Sequence, residues 1–227
     1  MLCVVWDWNG TLLDDVDCCL GVMNRMLSRR GLPSIGGVAA YREIFTFPVR
    51  DYYVLAGLDL AKESFDDLAD EYMRDYRQSS KTCGLMKGAA SVLDALRDMG
   101  AVQVLASASR QDDLERQLAE QGLTGKFEAV LGVSDQLGGG KSGVAQAYLT
   151  AHGFVPEDAL FVGDSIHDWE VANAMGCRCV LIANGHQSSE RLRSTGADVL
   201  EDISLLPEYC VKMSDLHMGG KRHENNS

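Results

Sequence analysis

The sequence predicts an α/β protein built on a parallel β-sheet, with helices on both faces and a helical insertion after the first strand. Three observations lead to this prediction. Five short apolar segments end in small or acidic residues, helical patterns separate the last four segments, and a long helical stretch follows the first. Strands that alternate with helices are typical of a doubly wound parallel sheet.

The predicted strands are short and rich in apolar and β-branched residues, and they span Leu2–Asp7, Val102–Ser107, Ala129–Ser134, Ala159–Asp164 and Cys179–Ala183. Helices are predicted between the last four strands, at Arg110–Glu120, Gly143–Ala151 and Asp168–Met175. Polar residues end four of the strands or follow them directly, namely Asp7, Ser107, Asp164 and Asn184. Because ligands bind at the carboxyl ends of strands in such sheets, we expect these residues to share one site.

The stretch from Asp14 to about Gly84 does not follow the strand–helix alternation. It contains helical segments near Cys19–Arg30 and Lys62–Gln78, a loop at Pro33–Gly37 and an aromatic-rich turn at Phe45–Tyr53. We therefore predict a core of residues 1–13 and 85–214 and a helical cap of residues 14–84. The polar, glycine-containing tail of residues 215–227 is predicted to be disordered.

Composition places the chain among soluble globular proteins, with 227 residues, 46% hydrophobic and 24% charged. No apolar run approaches the roughly 20 residues of a membrane span, and the amino terminus has no signal-peptide pattern. The seven cysteines lack the spacing of a metal site or a disulfide framework. We therefore expect reduced thiols and a cytoplasmic protein, and leave monomer or homodimer open.

The net charge of −12 argues against nucleic acid as a partner, because nucleic-acid binding requires a concentrated basic face. An anionic substrate that approaches such a protein needs local positive charge. A bound cation and a few basic side chains can supply that charge within a site.

The first motif runs from Val4 to Asp14, Val-Val-Trp-Asp-Trp-Asn-Gly-Thr-Leu-Leu-Asp. Its apolar strand delivers Asp7 at its end, and Gly10 permits a sharp turn of the backbone beneath a ligand. An acidic residue that merely caps a strand-to-loop turn is the structural alternative.

Two further motifs offer groups for an anion. Ser107 ends an apolar strand and can give its hydroxyl and nearby backbone N–H groups to a phosphate oxygen, although a helix N-cap is the simpler role. Lys141 follows three glycines and can reach a phosphate and a carboxylate together; a surface lysine is its alternative. The glycines do not form a P-loop, since Asp135 stands where that motif requires glycine.

The fourth motif, Phe161 to Asp168, places Asp164 and Asp168 four residues apart after an apolar strand. Both carboxylates face one direction if a helix begins between them. Carboxylates, a backbone carbonyl and water are ligands that suit Mg²⁺. A doubly acidic helix start, favoured by the helix dipole, is the structural alternative.

Together the four motifs, in this order, resemble the haloacid dehalogenase superfamily, and within it the phosphoglycolate-phosphatase-like and β-phosphoglucomutase-like members. The resemblance implies a Rossmann-like core with a helical cap inserted after the first motif. It also implies a magnesium-dependent phosphatase that hydrolyses a small phosphorylated metabolite.

Carried over to this sequence, the resemblance implies a role for each motif residue. Asp7 attacks phosphorus, becomes an aspartyl phosphate and also ligates Mg²⁺. Asp164 and the backbone carbonyl of Asn9 complete the metal ligands, and Asp168 holds metal-bound water. The phosphoryl group is bound by Thr11, Ser107, Ala108 and Lys141. Lys141 and Asn9 count with Asp7 among the catalytic positions.

Asn9 is the departure from the family pattern, since most phosphatases of the family carry a second aspartate there. An amide has no proton to exchange near neutral pH, and general acid–base catalysis contributes about 10²–10⁴ in rate. Three interpretations stay open. His186, or alternatively His167, protonates the leaving oxygen; the substrate is an acyl phosphate or anhydride that needs no acid; or the catalyst is weakened and mainly binds a phosphorylated ligand.

The aromatic-rich cap segment is the candidate for substrate specificity. Arg42 or Arg50 could pair with a substrate carboxylate when the cap closes. His186 is grouped with them, as a residue of the loop after the last predicted strand. Packing of the aromatic rings in the cap interior is the alternative.

Overall fold

The computed structural model describes residues 1–133 and 140–213. Its strands are β1 Cys3–Trp6, β2 Val102–Arg110, β3 Ala129–Val133, β4 Ala159–Gly163, β5 Arg178–Ile182 and β6 Asp198–Leu200. Its helices are α1 Val16–Arg29, α2 Val38–Ile44, α3 Val49–Ala56, α4 Phe65–Ser79, α5 Ala89–Asp98, α6 Gln111–Glu120, α7 Gly140–Ala151, α8 Ile166–Met175 and α9 Ser189–Arg193. Short 3₁₀ helices lie at Ser80–Thr82, Pro156–Asp158 and Ile203–Leu205, and residues 206–213 are helical.

The six strands form one parallel sheet in the order β3-β2-β1-β4-β5-β6. The chain leaves β1 toward β2 on one side and later returns to β4 on the other, so the β1–β4 boundary is the topological switch point. Trp6, the last residue of β1, pairs with Leu105 and Val162. The ends of β1 and β4 therefore lie nearly level at one edge, where this class of sheet binds ligands, and β2 continues past them to Arg110.

Both faces of the sheet are covered by helices, which explains why its central strands are almost wholly apolar. One core cluster packs β1 residues Val4 and Trp6 against α5, α6 and the final helical residues. The opposite cluster packs Cys3 and Val5 against α7 and α8. Alternate β1 side chains thus enter opposite cores, as the two-residue period of a strand requires. The predicted doubly wound sheet is confirmed.

Helices α1 to α4 form a separate layer over the carboxyl edge of the sheet, and we call this layer the cap. Its core cluster includes Met23, Met26, Tyr41 and Tyr52. Helix α3 occupies much of the segment that the sequence predicted as an aromatic-rich turn. The chain crosses between cap and core near Leu13 and Leu85, which form an antiparallel bridge. The division of the chain after residues 13 and 84 stays a prediction.

Two sequence predictions extend past the described residues: the end of the third predicted strand at Ser134 with the glycines that follow it, and the tail of residues 215–227. Strand β6 was not predicted. Among the described residues, no helix combines the length and apolar character needed to cross a membrane.

Candidate active site

Asp7 lies one residue beyond β1, at the switch point of the sheet. Its backbone N–H donates to the carbonyl of Val162 at 2.8 Å, so the parallel ladder fixes its position. One carboxylate oxygen accepts a hydrogen bond from the ammonium of Lys141, and the other accepts from the Thr11 hydroxyl at 3.2 Å. The side chain is 8% exposed and lines a cavity. Asp7 therefore combines a fixed geometry with access to a ligand.

Asp164 and Asp168 follow β4 and complete the same group of side chains. Asp168 is the third residue of α8 and forms a capping box with Ser165. One oxygen of Asp168 accepts hydrogen bonds from the backbone N–H groups of Asp164 and Ser165 at 3.1 and 3.0 Å. Its other oxygen accepts from Lys141 at 2.6 Å. The Lys141 ammonium thus donates hydrogen bonds to both Asp7 and Asp168, which belong to different sequence motifs.

We call Asp7, Asp164, Asp168 and Lys141 the acidic cluster. Burial, reinforced by the neighbouring carboxylates, raises the pKa of Asp7 to about 7 and that of Asp164 to about 6. Burial also acts to raise the pKa of Asp168, but the Lys141 ammonium and hydrogen bonds hold it below its ordinary value. Three carboxylates thus share one ammonium in a buried space.

The donor set of the acidic cluster fits a hard divalent cation. Oxygens of Asp7, Asp164 and Asp168 lie within 4.8 Å of one another, and oxygen ligands are those that Mg²⁺ prefers. The excess of carboxylates over ammonium groups also leaves negative charge that a cation would offset. Both the geometry and the charge therefore suit such an ion.

Three glycines allow the backbone to approach this cluster closely. A Cβ atom at Gly10, where φ is +74°, would collide with Asp164 and His186, one at Gly163 would collide with Asp168, and one at Gly185 would collide with Asp164. Gly185 precedes His186, whose backbone N–H donates to Asp164. The sequence predicts a close approach at Gly10 from the sharp turn that follows the first strand. Nothing local in the sequence predicts a close approach at Gly185.

Three of the four predicted phosphate-binding residues, Ser107, Ala108 and Lys141, line the cavity beside Asp7, whereas Thr11 is fully buried outside the lining that the described residues define. Ser107 is 2% exposed, and its hydroxyl accepts a hydrogen bond from the Ser109 N–H at 3.1 Å. Ala108 lies between them and also lines the cavity. Thr11 donates to Asp7 and Asp164, so it is a part of the carboxylate network as well.

Asn9 is held by neighbours that the sequence did not identify. Its amide nitrogen donates to Asp15 and to the Tyr76 hydroxyl, both at 2.7 Å. Its amide oxygen accepts from the Ser109 hydroxyl at 3.1 Å. The Asn9 side chain is therefore oriented at both ends, and its nitrogen is engaged by Asp15 and Tyr76.

Asp15 is the centre of a second buried group, the paired cluster, which comprises Asp15, His186, Asn9 and Tyr76. Besides Asn9, the fully buried Asp15 carboxylate accepts from Tyr76 at 2.7 Å and lies 3.2 Å from His186 Nε2. Burial acts to raise the pKa of Asp15, but His186 and hydrogen bonds lower it overall. Burial opposes the charged imidazole, yet Asp15 raises the pKa of His186 to about 9.

The structure places the three candidate specificity residues differently. Arg42 donates to the backbone carbonyls of Gly185 and Asn184 at 2.8 and 2.6 Å and so ties the cap to the core. Arg50 is exposed, with its guanidinium 6.0 Å from the Phe65 ring. Neither arginine lines the cavity as the described residues define it.

His186 does line the cavity, but both of its ring nitrogens have partners. The Tyr41 hydroxyl lies 2.8 Å from Nδ1, and Asp15 lies beside Nε2. His167 also lines the cavity, stacked on Phe47 with ring centroids 4.5 Å apart. Of the two histidines considered for proton transfer, His186 is the more completely engaged.

The chain is similar to known proteins over most of its length. Residues 4–182 match the family model described as haloacid dehalogenase-like hydrolase. A phosphoglycolate phosphatase from Pseudomonas savastanoi is 26% identical over 225 residues, which cover 92% of this chain and 80% of that protein.

Two solved structures share the fold. One is a haloacid dehalogenase-like family hydrolase from Streptococcus pneumoniae, with a TM-score of 0.79, 17% identity, and coverage of 92% of this chain and 98% of the other. The second is a haloacid dehalogenase family hydrolase from Deinococcus radiodurans with bound phosphate and sodium. Its TM-score is 0.74 at 24% identity, with coverage of 93% and 96%. The family inferred from the four motifs is confirmed, and the chain belongs to the haloacid dehalogenase-like hydrolases.

Proposed function

We propose that this chain is a magnesium-dependent phosphatase that acts on a small phosphorylated metabolite through an aspartyl phosphate on Asp7. The observation that carries the proposal is the acidic cluster, which opens to a cavity at the switch point of the sheet. The names of phosphoglycolate phosphatases among the relatives support the reaction type. The seven free cysteines support a cytoplasmic location.

Each residue of the site has a task in this reaction. An oxygen of Asp7 forms a bond to phosphorus as the bond from phosphorus to the leaving oxygen breaks. Lys141, Ser107 and the backbone at Ala108 hold the phosphoryl oxygens, and Lys141 and Thr11 orient Asp7 through their hydrogen bonds to its carboxylate. Mg²⁺, held by Asp7, Asp164, Asp168 and the Asn9 carbonyl, would supply the charge that offsets the phosphoryl oxygens. Water then displaces Asp7 from phosphorus, which releases phosphate and regenerates the carboxylate.

The test is phosphate release from a panel of phosphate esters with and without Mg²⁺. Asp7→Asn removes the nucleophile and should abolish turnover, a loss of at least about 10³. Asp14→Asn is the matched control, because Asp14 carries the same side chain in the same motif and is exposed. Full turnover by Asp7→Asn would disprove the nucleophile assignment.

A second candidate is a protein that binds a phosphorylated ligand without turning it over. The observation in its favour is Asn9, which has no proton to give and whose amide is engaged at both ends. This candidate predicts thermal stabilisation by phosphate and Mg²⁺ together, without release of phosphate from any ester in the panel. Turnover that depends on Asp7 would exclude it.

A further inference from the structure

The cavity wall that faces the acidic cluster is aromatic. The cap contributes seven aromatic residues to the lining, whose rings contact one another in tilted, edge-on or stacked pairs, and the half-buried rings among them are Phe45, Phe47, Phe65 and Tyr72. Tyr72 stacks on Tyr76 with an interplanar angle of 10° and a centroid separation of 6.2 Å. Such a wall offers flat apolar surface to whatever group is attached to a phosphate at Asp7.

The same wall lacks a cation that is available to a substrate carboxylate. Within the cap, all of which the structure describes, Arg77 is the single basic residue that lines the cavity. Its guanidinium donates to both oxygens of Asp113 at 2.8 to 3.1 Å. Asp70, which is exposed, adds a negative charge to the lining. A small phosphorylated acid such as phosphoglycolate therefore finds no matched partner for its carboxylate in the cap.

The cavity is also larger than a small phosphorylated acid requires. Its volume is about 770 Å³, within the range of about 300–1,000 Å³ that is typical of pockets for drug-sized ligands. A phosphoryl group bound at Asp7 would fill only the end of the cavity next to that residue. The remaining space is bounded by the aromatic wall and accommodates a ring system.

Asn9 restricts the leaving group independently of the wall. An alkanol leaves as an alkoxide, whose conjugate acid is a far weaker acid than a phenol, so it needs a proton in the transition state. A phenol has a pKa of about 10 and leaves more readily as its anion. The amide of Asn9 cannot protonate the leaving oxygen. A phenol-type leaving group thus suits the site that has lost the family acid.

We propose that the substrate is a phosphate monoester of an aromatic hydroxyl, with its ring held against Phe65 and Tyr72. The proposal rests on the phosphatase function proposed above and narrows its substrate class. Asp7 forms a bond to phosphorus, and the bond from phosphorus to the aryl oxygen breaks. The aryl oxide leaves with the electron pair and takes a proton from water. A second water releases phosphate from Asp7.

Four probe substrates separate the ring from the leaving group. They are 2-naphthyl phosphate, 2-naphthylmethyl phosphate, acetyl phosphate and phosphoglycolate. The naphthylmethyl ester has the ring but an alkanol leaving group, and acetyl phosphate has a good leaving group without a ring. With Mg²⁺, we expect kcat/KM for naphthylmethyl phosphate to exceed that for phosphoglycolate by about tenfold or more. We expect naphthyl phosphate to exceed naphthylmethyl phosphate by about 10² or more.

Variants of the wall test whether the ring preference comes from the protein. Phe65→Leu and Tyr72→Leu keep apolar bulk and remove the ring, and each should raise KM for naphthyl phosphate about tenfold. Each should leave acetyl phosphate hydrolysis within about twofold of the parent. Leu55→Ala is the control, because Leu55 is an exposed cap residue outside the cavity lining and should change neither substrate.

The outcomes distinguish this inference from the proposed function. Asp7-dependent turnover in which phosphoglycolate matches or exceeds naphthylmethyl phosphate overturns the aromatic substrate class and leaves the phosphatase intact. Equal losses for naphthyl and acetyl phosphate in both wall variants overturn it as well. No turnover of any probe, or turnover that survives Asp7→Asn, overturns the phosphatase proposal itself.

Discussion

Within residues 1–133 and 140–213, two buried clusters bring potential metal ligands within 4.8 Å of one another, and they differ in charge balance. The first includes Asp7, Asp164 and Asp168, and the second includes Asp15, Cys19 and His186. In the acidic cluster, three carboxylates share one ammonium, and burial raises the pKa of Asp7 and Asp164. In the paired cluster, one carboxylate meets one imidazole, and the pKa of Asp15 is lowered.

The difference shows that close ligand spacing alone does not identify a metal site. The Asp15 carboxylate already accepts hydrogen bonds from Asn9, Tyr76 and the Gly10 N–H, and it is fully buried. In the paired cluster, the hydrogen bonds and charge that the Asp15 carboxylate requires are therefore already supplied by side chains and backbone of the chain itself. The acidic cluster keeps excess negative charge beside an open cavity, which is the condition under which a cation binds favourably. The two clusters should therefore respond in opposite ways to the loss of a carboxylate.

The largest expected effect comes from breaking the paired cluster. Asp15→Asn leaves a buried imidazole without its counter-charge, and removing one partner of a buried pair costs about 3–5 kcal/mol. Urea unfolding should show this loss as a lower midpoint at an unchanged slope. Asp14→Asn, at the exposed neighbouring residue, is the matched control and should stay within about 0.5 kcal/mol of the parent. A loss below about 1 kcal/mol for Asp15→Asn would contradict this account of the pair.

The next effect is the response of the acidic cluster to pH and Mg²⁺. Because burial places the folded-state pKa of Asp7 at about 7 and that of Asp164 at about 6, above the ordinary 3.8, these two carboxyl groups bind more protons between pH 4 and 7 in the metal-free folded chain than in the unfolded chain. The contribution of these two groups to stability therefore falls as pH rises through this window. Mg²⁺ at 100 times its Kd should raise the free energy of unfolding by about 2.7 kcal/mol. This gain in stability should be larger at pH 8 than at pH 5.

Thermal unfolding at both pH values, with and without Mg²⁺, measures this effect. Asp164→Asn removes one of the crowded carboxylates. The metal-free variant should be as stable as the parent or up to about 2 kcal/mol more stable at pH 8. It should also lose most of the Mg²⁺ effect. Equal stabilisation of parent and variant would show that Mg²⁺ binds elsewhere.

Asn9→Asp sharpens the comparison by adding a carboxylate where the two clusters meet. The new side chain would lie at hydrogen-bond distance from Asp15, since the Asn9 amide nitrogen is 2.7 Å from it. Two carboxylates at this separation retain a proton between them, and ionising both is unfavourable. We expect a stability loss of about 1–3 kcal/mol at pH 8 and a smaller loss at pH 5.

The double variant Asn9→Asp/Asp15→Asn is the control for this prediction. It returns the pair of positions to one carboxylate and one amide, so its loss should fall short of the sum of the two single losses by about 1 kcal/mol or more. Additive losses would mean that residues 9 and 15 do not interact through charge.

The smallest effect concerns the loop that joins the clusters, residues 184–186. Arg42 donates two hydrogen bonds to backbone carbonyls of this loop, and His186 contributes to both clusters. Arg42→Ala should cost about 1–2 kcal/mol in urea unfolding. Arg50→Ala, the control at an exposed cap arginine, should cost no more than about 0.5 kcal/mol. Equal costs would indicate that Arg42 does not hold the loop.

Much of the sheet could be predicted because its information is local. Each predicted strand is an apolar run that ends in a small or acidic residue, and Asp7, Ser107 and Asp164 fall at such ends. In a parallel sheet these ends meet at one edge whatever the details of packing. Strand β6 escaped prediction because its three residues, Asp-Val-Leu, are too few to show a period.

The sequence predicts a turn where the structure has helix α3, because the aromatic residues and Pro48 obscure the helical pattern of this segment. The structure starts α3 at Val49, directly after that proline, a position that a helix tolerates because its first turn needs no backbone donor there. The aromatic composition of this short segment thus predicted that its side chains pack inside the cap, but it did not predict that its backbone is helical.

By itself, the sequence determined the order of the motifs, from which the family was inferred, and the placement of Asp7, Ser107 and Asp164 at one edge of the sheet, because strand patterns and chain order dictate where the strands end. Lys141 was placed beside them only by the family resemblance. Only the tertiary structure decided that Arg42 clamps a loop instead of facing the cavity. The pairing of Asp15 with His186 was decided there too. Those contacts join cap residues to the loop at residues 184–186, which is distant from them in the sequence. No local sequence pattern specifies which of these distant residues meet when the cap folds onto the core.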